Sequence, residues 1–130
     1  MMVLDASAML EVLMRSSAAP AIERRIFAAG QTLHAPHLLD IEIASVLRKR
    51  EAAGELSHKR GLEALADLAD LPMIRYPHHF FLPRIWRLRH NLSAYDAAYV
   101  ALAEELDAPL LTRDRRIATA PGHHAHIELV

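Results

Sequence analysis

The sequence predicts an α/β protein: a central, mainly parallel sheet of four to five strands covered by helices on both faces, a three-layer α/β/α sandwich. Two observations lead there. Short apolar runs, bounded by Pro, Gly or polar residues, recur along the chain and are the right length for strands. Between them lie longer stretches whose apolar residues return every three or four positions, which is helical spacing. Strands separated by helices pair in parallel through right-handed crossovers, and such a sheet is covered on both faces. At 130 residues, with no repeat, low-complexity tract or Gly/Ser linker, the chain reads as one domain able to bury its own core.

Met2-Val3-Leu4 is the first strand and Ala8 to Met14 a short helix, with Asp5 and Ser7 both of a type that caps helices. A second helix begins near Pro20, presents Ile22, Ile26 and Phe27 as its apolar face, and ends at Gly30. Thr32 to Ala35 forms a short strand closed by Pro36, which cannot donate to a ladder. Leu38 to Ala53 is a helix with Leu39, Ile43, Val46 and Leu47 inward, stopped by Gly54. Ser57 caps a further helix, expected to turn Leu62, Leu65, Ala66 and Ala69 inward and Lys59, Arg60, Glu63, Asp67 and Asp70 to water. Met73 to Tyr76 is a third strand, and Phe81, Ile85, Leu88 and Leu92 mark another helix. Ser93 opens a helix to about Leu106, so apolar that it must be buried nearly all round. Ala108 to Thr112 is the fourth strand, and Ile127 to Val130 a short terminal one after a turn at Pro121-Gly122.

Composition excludes several classes of function. With no cysteine there are no disulfides, thiolate nucleophiles or cysteine metal sites, which fits a reducing cytoplasm. No stretch approaches the length of a membrane span, so a soluble cytoplasmic protein is expected. Fifteen Lys and Arg against sixteen Asp and Glu give a net charge of −1, so a polyanion must be held locally rather than by a global field. Arg48, Arg50, Arg84, Arg87, Arg89, Arg113, Arg115 and Arg116 supply local positive charge. The four glycines are scattered singly, which leaves no phosphate-cradling loop. His123, His124 and His126 lack a cysteine or an HExxH pattern, and the adjacent pair diverges in extended chain, so no zinc site is expected.

Four acids stand out. Asp5 lies just past the first strand, where ligands bind in parallel α/β sheets. Asp114 repeats that placement after the fourth strand, preceded by the hydroxyl of Thr112 as Asp5 is followed by that of Ser7. Glu42 sits on the margin of an apolar helix stripe, where a charge needs a partner, a metal or water. Asp96 stands three residues after Ser93, a capping-box place, on the same face as Tyr99, Val100 and Ala103. Each acid has a purely structural explanation alone. Together they would repel and take up protons unless a cation held them, and hard divalent cations suit such oxygen donors while leaving places for phosphate oxygens. Asp40, two residues before Glu42 on a helix, points elsewhere.

Val3-Leu4-Asp5-Ala6-Ser7, Leu39 to Leu47, Leu92 to Ala103 and Leu110 to Arg116 resemble the four acidic motifs of PIN-domain nucleases, and more narrowly the VapC toxins of type II toxin-antitoxin systems. The motifs cover essentially the whole chain, and the long third motif followed closely by the fourth is specific. The resemblance implies an α/β/α endoribonuclease acting on RNA with Mg²⁺ or Mn²⁺. It assigns the acidic cluster to Asp5, Glu42, Asp96 and Asp114, supported by Thr112 and Ser7. It further implies a homodimer and a small antitoxin partner that puts a basic side chain into the acidic site. Arg116 departs from family members with a further acid near that position. That leaves one-metal and two-metal versions open.

Two other readings stand beside this one. A doubly wound phosphoacceptor or signalling domain would use Asp5 as nucleophile, but needs a Lys near the site, and the only lysines are Lys49 and Lys59, neither at a strand end. A catalytically silent RNA-binding domain would not need all four acids. Contacts with a partner could use the helices carrying Ile22, Ile26, Phe27, Leu62 and Trp86, which core packing explains equally.

Overall fold

The computed structural model describes residues 1–130. Its elements run β1 (Met2–Leu4), α1 (Ala6–Leu13), α2 (Ala19–Ile26), β2 (Leu33–Pro36), α3 (Leu38–Ala52), α4 (His58–Asp70) and β3 (Ile74–Tyr76). There follow a 3-10 turn (His79–Phe81), α5 (Leu82–Arg87), α6 (Ala94–Leu106), β4 (Leu110–Thr112), α7 (Arg115–Thr119) and β5 (Ile127–Leu129). The strands form one sheet in the order β3-β2-β1-β4-β5, every neighbouring pair parallel. This is the α/β sandwich expected from the alternation of short apolar runs and helical stretches.

β1 is the axis of the molecule, and Met2, Val3 and Leu4 are wholly buried, as an unbroken apolar run in a parallel sheet should be. Val3 registers with both His34 of β2 and Leu110 of β4. One layer is α6, packed across β1, β2 and β4 with α5 against it; the other is built by α1, α2, α3 and α4. Seven consecutive residues of α6, Ala97 to Ala103, are buried, so its all-round apolarity is explained.

Several expectations need correction. In α4 the inward residues are Ala64 and Leu68, whereas Leu62, Leu65, Ala66 and Ala69 are exposed. The helix carries two apolar stripes, and the one with Ala64 and Leu68 packs toward α3 and α1. Ile22 and Ile26 belong to the core, while Phe27, just past the end of α2, turns outward. The helix expected around Phe81 to Leu92 is six residues long, because at Leu88 the backbone N–H is shared between the carbonyls of Arg84 and Ile85 and the chain leaves in tight turns. Ile85, Leu88 and Leu92 are nonetheless buried. β2 continues through Pro36, opposite Tyr76, where no N–H is needed because His37 N–H takes the Tyr76 carbonyl. A short helix, α7, stands after β4 where the sequence pattern predicts none.

Candidate active site

In the sheet order the chain leaves β1 toward β2 on one side and returns to β4 on the other, so the switch point lies between β1 and β4. Ligands of open parallel sheets bind outside the strand carboxyl ends at such a point. Asp5 follows β1 there and Asp114 follows β4.

Asp5, rather than Ser7, caps α1: its backbone is extended and Oδ1 accepts the Ala8 N–H at 3.0 Å. Oδ1 also accepts the Ser7 hydroxyl at 2.6 Å, and Oδ2 accepts the hydroxyl of Thr112. Ser7 Oγ in turn accepts the Arg113 N–H at 2.9 Å, and Thr112 Oγ1 the Asp114 N–H at 3.0 Å. Both hydroxyls therefore tie the carboxylate of β1 to the loop after β4, which fixes two acids by one braid. Asp5 is 5% exposed and Thr112 wholly buried.

The other two acids come from opposite layers. Glu42 of α3 accepts the hydroxyl of the buried Tyr99, on α6, at 2.6 Å. Asp96 sits in the first turn of α6, its N–H donating to Ser93 Oγ at 3.1 Å. Burial pushes the Asp5 carboxyl up; the bonds from Ser7, Thr112 and Ala8 pull it back only in part, and the charge of Asp96 adds to the rise. Glu42 is raised by burial against the pull of Tyr99, with further push from Asp96 and Asp5. Asp96 is raised by burial and by Asp114. The Tyr99 hydroxyl, buried and bonded to Glu42, is pushed far up and stays a donor. The four acids thus share one electrostatic neighbourhood.

Asp114 is the exception, held below the usual carboxylate range chiefly by Arg116. Arg116 Nε and Nη2 reach its two oxygens at 3.1 and 2.7 Å, and the Arg116 N–H caps onto it at 2.9 Å. Asp40 points away, gripped by Arg75 at 2.8 and 3.0 Å. The histidines disperse: His123 bonds the Ile117 carbonyl, His124 faces Glu104 and His126 faces Glu128.

As they stand, no three Asp, Glu or His side chains close into a ligand ring. The donor chemistry nevertheless fits a hard divalent ion, which uses a few carboxylates and keeps its waters. Uncompensated negative charge on three partly buried acids is the condition a cation relieves. Sequence alone missed two participants. Tyr99 reads as a core ring, although a buried tyrosine hydroxyl must find a partner, which was the available signal. Arg116 reads as a departure from pattern, whereas it is the counter-charge of Asp114.

Comparison with known proteins identifies the family. The PIN domain family matches residues 2–122. The chain is 41% identical to Ribonuclease VapC12 of Mycobacterium tuberculosis over 130 residues, covering 100% of this chain and 99% of that protein. It is 46% identical to Ribonuclease VapC9 of the same organism over 118 residues, 91% and 89% of the two chains. Among solved structures, VapC20 of M. tuberculosis, described as a Sarcin-Ricin loop cleaving toxin, superposes with a TM-score of 0.72 at 14% identity over 95% of this chain and 97% of that one. VapBC2 from Rickettsia felis, bound to a DNA fragment from its promoter, gives 0.71 at 12% identity, over 98% and 97%. These two support the fold alone, but the family match and the full-length relatives decide the matter: the chain belongs to the PIN domain family, in its VapC branch.

Proposed function

We propose that this protein is a metal-dependent endoribonuclease, the toxin of a type II toxin–antitoxin pair, and that Asp5, Glu42, Asp96 and Asp114 form its reaction centre. The names of the full-length relatives support the ribonuclease class. The observation that carries the site is Asp5: a carboxylate 5% exposed, at the sheet's switch point, whose pKa is raised by burial and by a second acid.

Asp5, Asp96 and Asp114 would hold Mg²⁺ or Mn²⁺, with Glu42 contributing directly or through water. When bound, the ion lowers the pKa of a water and stabilises charge developing on the phosphoryl oxygens. Ser7 and Thr112 orient Asp5 by donating to one oxygen each, and Tyr99 orients Glu42. Arg116 must release Asp114 for that carboxylate to serve as a ligand, and its exposed guanidinium is free to swing toward a phosphate. RNA is the substrate in this reading, a small antitoxin the neutralising partner, and a homodimer the working form.

Asp5→Asn, Asp96→Asn and Asp114→Asn are each expected to lower Mg²⁺-dependent RNA cleavage at least 100-fold while the circular dichroism spectrum is unchanged. Full cleavage by folded Asp5→Asn overturns the proposal.

A further inference from the structure

Beside Glu42 an open groove of about 440 Å³ runs between α3 and the start of α6, walled by Ile41, Val46, Ser45, Lys49 and Tyr95, with Glu42 itself at its edge. Tyr95 and Ile41 are unusually bare for such side chains, 61% and 70% exposed. Lys49, one of only two lysines in the chain, is exposed and pairs with no carboxylate. Tyr95 immediately precedes Asp96 in α6 and Ile41 immediately precedes Glu42 in α3, so the walls are set by the same backbone that sets two of the acids.

We infer that this groove is a nucleobase subsite for single-stranded RNA, in which the nucleotide next to the reacting phosphate stacks on Tyr95 and its outer phosphate meets Lys49. Three features select that occupant. An exposed aromatic ring with an apolar floor stacks any base, because every base has a π-face. Lys49 brings an ammonium with no carboxylate partner to the wall of this groove, where a phosphate of the strand can meet it. Glu42 borders both groove and acid cluster, so a strand reacting at the acids has the groove as its continuous path. Specific recognition of unpaired RNA generally proceeds by such splayed, stacked bases. The inference rests on the ribonuclease reading above and goes beyond it in placing the substrate.

The test measures binding by fluorescence anisotropy of a fluorescein-labelled single-stranded RNA decamer of mixed sequence, with Ca²⁺ replacing Mg²⁺, together with steady-state cleavage in Mg²⁺. The full chain is compared with Tyr95→Ala, Tyr95→Phe and Lys49→Ala, whose side chains are exposed enough that melting temperatures should not move. Tyr95→Ala is expected to bind about tenfold more weakly and to raise KM with kcat little changed, while Tyr95→Phe, which keeps the ring, matches the parent. Lys49→Ala should lower the slope of log Kd against log salt by about one. Equal affinity of parent and Tyr95→Ala overturns the inference and leaves the ribonuclease reading standing. Loss of affinity for the antitoxin instead of for RNA also overturns it, assigning the groove to a protein. A parent that neither binds nor cleaves the RNA overturns both.

Discussion

Thr112 shows how much a single buried hydroxyl carries. It donates to Asp5 and accepts the Asp114 N–H, so it is both a strut for one acid and an anchor for the backbone of another. Thr112→Val keeps the shape but leaves that N–H and one Asp5 oxygen unsatisfied, at a cost of about 1–3 kcal/mol in urea denaturation. The same change removes a bond that holds the Asp5 carboxyl down, so its pKa rises further. The acid limb of the cleavage rate against pH therefore moves to higher pH, and Thr112→Ser, which retains the hydroxyl, restores both stability and profile. At this scale the four acids stand out in the sequence by placement: Asp5 and Asp114 lie just past strand ends, Glu42 on the margin of an apolar stripe and Asp96 at the start of a buried helix. Tyr99 was not, since its partner Glu42 lies 57 residues away and nothing local marks the pairing. Ser7 and Asp5 are both good caps, and only the extended backbone of Asp5 decides between them.

At the scale of elements, legibility follows from how far local chemistry settles the outcome. Ser93 and Ser57 cap α6 and α4 as their sequences suggest, because a cap needs only the next turn. The facing of α4 departs from its sequence pattern, because two apolar stripes compete there and the choice depends on neighbours in space rather than on spacing. α5 was overextended for a related reason: buried side chains at helical intervals also suit a chain that turns tightly between them. Ser93 joins cap to site, since the N–H it accepts belongs to Asp96. Ser93→Ala should cost about 1 kcal/mol of stability and lower cleavage more than that loss implies, because the first turn carrying Asp96 frays. Ser93→Asp, another good cap, should recover stability in thermal melts but not activity, since it adds a charge beside an acid whose pKa is already raised.

Considered as a whole, the molecule concentrates repulsion where its sheet changes direction, and stability should record it. A carboxyl whose pKa is raised on folding binds more protons in the folded than in the unfolded state, so its contribution to stability falls as pH climbs through the shifted value. Asp5, Glu42 and Asp96 all act in this sense. Glu104 acts in the opposite sense: burial pushes it up, but Arg84 and the His124 N–H outweigh that, so its stabilisation is lost only at acid pH. His34, lowered by burial, also loses stability as pH falls below its usual range. A difference between two proteins removes these common contributions. Without divalent metal, Asp5→Asn should melt at or above the wild-type temperature at pH 7.5, with its advantage shrinking toward pH 4 as wild-type Asp5 takes up its proton. Mg²⁺ should reverse the order, raising the wild-type melting temperature by several degrees through preferential binding to the folded state, while Asp5→Asn stays unmoved. Differential scanning calorimetry at both pH values, with and without 10-fold steps in Mg²⁺, checks both halves. A wild-type protein indifferent to Mg²⁺ would mean that the acids hold no ion. An Asp5→Asn variant less stable than wild type at neutral pH would mean that the braid of Ser7, Thr112 and Ala8 outweighs the buried charge.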